Sequence, residues 1–169
     1  MDLDSFTNQL ANQAGVIHTL TLGVSAGQAR WKPDPQAWSI LEVINHLFDE
    51  ECADFRVRLD LILHHPAQPW PPIDPQGWVT GRHYNQRDLA HSLDNFLKER
   101  RKSLAWLRGL DAPDWDASVT SPLGKFSAGD IFAAWVAHDL LHMRQLVELH
   151  WAYTLHSAQP YRVNYAGDW

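Results

Sequence analysis

The sequence predicts an all-α fold: a four-helix bundle with long connecting loops and an extended C-terminal tail. Three observations carry that prediction. Apolar residues recur at three- and four-residue steps in four separate stretches. The segments between them are rich in Pro and Gly. No stretch alternates with the two-residue period of a strand, and no internal repeat is present. The 169 residues fit one domain over 1–169 and suffice for a hydrophobic core without cross-links.

The first helix is expected from residue 4 to about 25, capped by Asp4 or Ser5, with Phe6, Leu10, Ala14, Ile17 and Leu20 facing inward. Residues 26–38 hold Gly27, Pro33 and Pro35 and read as a loop. The second helix has the clearest start. Ser39-Ile40-Leu41-Glu42 fits a capping box, and Trp38 and Val43 occupy the positions of a hydrophobic staple. It should run to about Leu63, with Leu41, Ile44, Phe48, Cys52, Phe55, Leu59 and Ile62 on one stripe. From His64 to Tyr84 the prolines forbid a helix, and a connection that long is usually functional or a crossover. Trp70 and Trp78 argue that it packs against the bundle.

The third helix is expected from about Gln86 to Leu110, with Asn85 as cap and Leu89, Leu93, Phe96, Leu97, Leu104 and Leu107 inward. The run Lys98-Glu99-Arg100-Arg101-Lys102 reads as a solvated face. A loop over 111–126 leads to the fourth helix, which starts at Ser127 with Asp130 in a weaker capping box and extends to about Trp151. Residues 156–169, with Tyr161, Tyr165 and Trp169, are expected as extended chain laid over the bundle.

Composition excludes several functions. The net charge is -6 and no block of basic residues exists, which argues against nucleic-acid binding. Cys52 is the only cysteine, so neither a disulfide framework nor a cysteine-type zinc site is expected. The start has no signal-peptide pattern and no apolar run is long enough for a bilayer, so no membrane association and a cytoplasmic location are expected.

His138 and His142 stand four residues apart on the fourth helix, one turn apart on one face, as one pair of metal ligands requires. They fall among Ile131, Ala134, Trp135, Leu141, Gln145 and Leu149, an apolar stripe where each ring needs a partner. The alternative is a pair of core histidines bonded to backbone or carboxylate. His46 on the second helix is the candidate third ligand. Its side also carries Glu42, Glu50, Ala53 and Val57, so it reads equally as a surface histidine. If it is a ligand, that side must face the fourth helix, and Glu42 or Glu50 would hold its second ring nitrogen. His18, His64, His65, His83, His91, His150 and His156 lack partners at ligand spacing or sit at a helix end. His138-Asp-Leu-Leu-His142 looks like the H-E-x-x-H helix of zinc peptidases, but Asp139 replaces the glutamate base, and the strands and downstream ligand are missing.

Trp38-Ser39-Ile40-Leu41-Glu42-Val43-Ile44-Asn45-His46-Leu47, together with Pro122-Leu123-Gly124 leading into His138-Asp139-Leu140-Leu141-His142-Met143-Arg144-Gln145, resembles the DinB-like (DinB/YfiT-like) metalloenzyme family over about residues 6–151. The resemblance implies a four-helix bundle, usually dimeric, so a homodimer is expected. It implies a metal triad of one histidine from the second helix and two from the fourth, which maps onto His46, His138 and His142. It implies one divalent metal ion, zinc or nickel foremost. Some relatives are thiol-dependent S-transferases or isomerases.

Three neutral nitrogens leave an open position, the catalytic type of site. The first functional expectation is therefore a metal-dependent S-transferase or hydrolase acting on a small-molecule substrate or low-molecular-weight thiol. Trp70, Trp78 and Trp135 are expected around its pocket, and Arg82, Arg144 and Lys125 are candidate anion contacts. The second is a non-catalytic, metal-stabilised bundle acting as a binding or stress-related protein. Phe132, Val136, Leu140, Met143 and Val147 on the other side of the fourth helix suit a dimer partner or a neighbouring helix.

Overall fold

The computed structural model describes residues 1–121, 124–167 and 169. Seven α-helices are present among them: α1 Leu3–Thr21, α2 Ala26–Arg30, α3 Ile40–Ala53, α4 Phe55–His64, α5 Pro75–Gly81, α6 Leu89–Arg108 and α7 Ala128–Ser157. The bundle is made of α1, α3 with α4, α6 and α7. In cross-section α1 lies between α6 and α7, α3 packs on α6, and α4 closes the ring against α7. Successive helices α1 and α3 are thus diagonal, as are α6 and α7. That is why their connections are long.

The expected capping boxes are both present. Ser39 Oγ accepts from the Glu42 amide and Glu42 Oε2 accepts from the Ser39 amide at 2.8 Å. Ser127 and Asp130 do the same for α7. Other boundaries differ. Asp2 caps α1, which ends at Thr21, and Asp88 rather than Asn85 caps α6. The second predicted helix is two helices: Asp54 leaves the helical region at φ -119° and ψ -93°. Neither Pro nor Gly marks that break. Asp54 is buried there against Arg58, four residues on, at 2.5 Å. The fourth helix continues past Trp151 to Ser157.

The connections hold more structure than expected. Residues 26–38 contain α2, capped by Ser25. Residues 64–84 contain α5, whose first residue is Pro75, where the missing N–H costs nothing. Asp74 caps it by accepting from Gly77 N at 2.9 Å. A Cβ on Gly77 would lie 2.0 Å from Asp74 Oδ2, so this cap requires glycine. The same connection packs as expected, with Trp70 stacked on Phe126 at 6.0 Å and Arg58 over the Trp70 ring. Residues 111–126 were expected as loop, yet Ser118–Ser121 (β1) pairs antiparallel with Gly124–Ser127 (β2). Strands of four residues are too short for a readable alternation. The tail does not bury its aromatics: Tyr161 and Tyr165 are exposed, and Trp169 stacks on Trp151 at 5.1 Å.

Two apolar clusters fill the bundle, one around Leu59, Leu104, Phe132 and Trp135, the other around Ile17, Val43, Ile44, Phe96 and Leu146. A buried ion cluster joins the helices. Arg100 on α6 was expected in a solvated face but is 1% exposed. Its Nε donates to Glu51 Oε1 at 2.7 Å, and its Nη1 donates to Leu10 O at 3.0 Å and Asp139 Oδ2 at 2.6 Å. Its Nη2 reaches Asp139 Oδ1 at 2.9 Å and Glu51 Oε1 at 2.5 Å. Four guanidinium N–H groups therefore donate hydrogen bonds, and the Nη2–Glu51 ion pair adds a fifth contact. Ser103 Oγ and Trp135 Nε1 donate to Glu51 at 2.6 and 2.8 Å. Burial works against the Arg100 charge, but the Glu51 and then the Asp139 carboxylates hold it above the ordinary arginine value.

Candidate metal centre

His46 comes from α3, and His138 and His142 come from adjacent turns of α7. The structure brings all three together. His138 Nε2 lies 3.2 Å from His46 Nε2 and 3.1 Å from His142 Nε2. One ligand atom from each residue lies within 4.8 Å of the others. A tetrahedral ion with bonds of about 2.0–2.1 Å spaces its ligands roughly 3.3 Å apart, so the nitrogens already stand near that separation.

His46 faces inward because α3 is covered on every side: α6 and α7 take one part of its surface, and α2, α5 and the turn at Tyr84–Gln86 take the rest. The mixed side of α3 is consequently buried, with Glu42 and Glu50 3% and 4% exposed. The Trp38 ring lies 4.9 Å from His46 and stacks parallel to His142 at 6.3 Å. Phe55 lies 5.0 Å from His138. Burial in this apolar setting, then mutual repulsion, lowers the His46 pKa to about 3 and that of His138 to about 2; burial also lowers that of His142. All three rings are thus held neutral, the form that donates a lone pair to a metal.

The second ring nitrogens are treated differently. His142 Nδ1–H donates to Gln145 Oε1 at 2.8 Å, which directs its Nε2 lone pair at the other rings. His46 Nδ1 is buried without a hydrogen-bond partner among the described residues. Glu50 Oε1 is 3.6 Å from it, beyond hydrogen-bond length. Glu42 is occupied by Ser39 N and by Lys32 at 2.8 Å, so it does not serve His46. The Glu50 carboxyl is pushed up to about 8, by burial first and by neighbouring Asp54 second. Asp139 points away from the triad into Arg100, so it cannot act as a peptidase-type base.

The triad opens into a cavity of about 700 Å³, with His46 and His142 in its wall. Trp38, Pro75, Gln76 and Gln145 line it. The residues expected there do not. Trp135 donates to Glu51 inside the core, Trp70 packs on the hairpin, and Trp78 lies under Arg82 at 4.0 Å. Arg82 pairs with Asp49 at 2.7 Å, Arg144 pairs with Glu148 at 3.3 Å, and neither these arginines nor Lys125 forms part of the wall. Other histidines have local partners: His64 with Asp60, His150 with Leu20 O and Gln28, His156 stacked on Trp31. The sequence marks Trp38 as a staple and not as a wall. Its signal was proximity in sequence to the capping box that starts the His46 helix.

The DinB superfamily model matches residues 9–146. The chain belongs to the DinB superfamily. No curated protein gives a significant match. Among solved structures, a DinB-like relative is YfiT from Bacillus subtilis, at 18% identity and a TM-score of 0.77, covering 87% of this chain and 85% of that one. YfiT is described as "a probable metal-dependent hydrolase with an unusual four-helix bundle topology". The DinB assignment agrees with the resemblance carried by the Trp38–Leu47 and His138–Gln145 stretches. Of Pro122-Leu123-Gly124, Pro122 and Leu123 lie outside the described residues.

Proposed function

We propose that this DinB-superfamily protein is a metal-dependent enzyme, an S-transferase or hydrolase, acting on a small substrate in the cavity above His46, His138 and His142. The observation that carries the reading is the convergence of three neutral Nε2 atoms, two of them on His46 and His142 in the wall of an open cavity. Three imidazoles suit zinc or nickel and leave a position free for a reacting group. A divalent ion held there supplies Lewis acidity and lowers the pKa of the water or thiol that reaches it.

The chain's own residues do the rest. Gln145 fixes the tautomer of His142. Trp38 and Phe55 shield the rings from water and hold their planes. Gln145 is a neutral partner, so it leaves the ligand less electron-rich than a carboxylate would. Pro75 and Gln76 of α5 bring the long connection over the opening. Cys52 does not line the cavity, and burial, then Glu99 and Asp49, push its thiol up to about 12, both of which argue against it as a nucleophile there.

Assays of the zinc- and nickel-loaded protein with a model electrophile plus added thiol, and with activated esters, test the reading. Turnover that is lost in His138→Ala supports an enzyme. Metal that raises the melting temperature with no turnover of either kind supports the non-catalytic bundle instead. We further propose a homodimer through the apolar surface that α7 and α1 leave exposed at Leu140, Val147 and Val16.

A further inference from the structure

The cavity over the triad is not charged like a site for acids. Among the described residues, its wall contains no Lys or Arg. Two cations close in sequence to wall residues, Lys32 beside Pro33 and Arg144 beside Gln145, already have acidic partners. Lys32 is held by Glu42 at 2.8 Å, and Arg144 meets Glu148 at 3.3 Å with its side chain 70% exposed. The only acidic side chain in the described wall is Glu148, 46% exposed, and Arg144 pairs with it. Three primary amides, Gln36, Gln76 and Gln145, supply the remaining polarity. Each amide offers two N–H donors and a carbonyl acceptor. The Gln145 carbonyl is committed to His142, which leaves its NH2 group for a ligand. The apolar part of the wall is Trp38, Pro33, Pro75 and Leu149.

We propose that this cavity accepts a substrate whose body is uncharged and rich in amide or hydroxyl groups, and that a wall offering no unpaired cation excludes carboxylated or phosphorylated bodies. The proposal rests on the reading of the cavity as the substrate site above a triad-held metal. A carboxylate brought against the Trp38 wall would lose hydration that no unpaired guanidinium or ammonium replaces. The amides reward groups that both donate and accept. A single anionic atom, such as a thiolate, still has a place at the metal, because three neutral ligands leave the ion's charge uncompensated. The exclusion therefore applies to the part of the molecule that lies along the wall.

The test uses a matched pair of thiols, N-acetylcysteinamide and N-acetylcysteine, which differ only in a carboxamide against a carboxylate. The cobalt-substituted protein reports thiolate at the metal through its visible spectrum. Saturation-transfer NMR on the zinc-loaded and the metal-free protein reports binding to the wall. The carboxamide is expected to bind about ten-fold or more tightly than the carboxylate. Glu148→Lys is expected to bring the two within about three-fold or to reverse their order, with Glu148→Gln in between. Equal or tighter binding of N-acetylcysteine to the wild type overturns the proposal, as does an unchanged ratio in Glu148→Lys. Binding of neither probe to any form also overturns it. If cobalt gives no spectrum, the metal reading fails by itself, and the NMR ratio on the metal-free protein still decides the polarity.

Discussion

Replacing Arg100 by leucine removes the node on which α1, α3, α6 and α7 meet. The guanidinium makes four hydrogen bonds and one further ion-pair contact: two contacts on Glu51, two on Asp139 and one on Leu10 O. Glu51 and Asp139 are 1% and 0% exposed, so neither can turn to water when the cation is gone. Breaking a buried pair by deleting one partner costs about 3–5 kcal/mol, because the remaining charge is stranded. For a chain of this size that corresponds to a fall in melting temperature of roughly 6–20 °C. Arg100→Lys keeps the charge but offers only three donors, so it should fall between the wild type and Arg100→Leu. Arg101→Leu, one residue away and exposed, is the control and should stay within about 0.5 kcal/mol of the wild type. Urea unfolding followed by circular dichroism measures all three. Arg100→Leu behaving like Arg101→Leu would refute the assignment of Arg100 as the hub of the core.

Three further outcomes follow from the structure. Gly77→Ala places a methyl on the Asp74 carboxylate and should remove the α5 cap, at a cost of about 1 kcal/mol, read as faster amide exchange over residues 77–81 with little change in global unfolding. Cys52 in the folded protein should react with iodoacetamide at pH 8 about 10³-fold more slowly than a free cysteine, because its thiolate fraction is that much smaller; a rate near the free value contradicts the burial argument. Leu140→Glu should convert the proposed homodimer to monomer in analytical ultracentrifugation, while the melting temperature of the monomeric variant stays concentration-independent.

The bundle was legible because its signals are local. The Ser39–Glu42 and Ser127–Asp130 boxes are properties of four residues, and the structure places both where the sequence puts them. His138 and His142 were legible as a pair because helical spacing alone puts them on one face. His46 was not legible from α3 by itself. What buries its mixed side is the packing of α2, α5 and the Tyr84–Gln86 turn, elements too short to show a period. Arg100 carried an overlooked signal: it stands four residues after Phe96 and four before Leu104, inside the apolar stripe of α6. A charged run hid it, although only Lys98, Arg101 and Lys102 in that run are exposed. The break at Asp54 coincides with a buried contact to Arg58 and leaves no Pro or Gly to read. The cavity wall depends on which residues meet over the triad, which is why Trp38 and the three glutamines emerged from the structure rather than the sequence.

The central claim, that His46, His138 and His142 hold one metal, is tested most directly by stoichiometry. The wild type and the three single His→Ala variants are equilibrated with zinc, desalted and analysed by inductively coupled plasma mass spectrometry, with circular dichroism to confirm the fold. The account predicts about one zinc per chain in the wild type and a near-complete loss in each folded variant. Zinc retained by all three variants, or absent from the wild type, would contradict it.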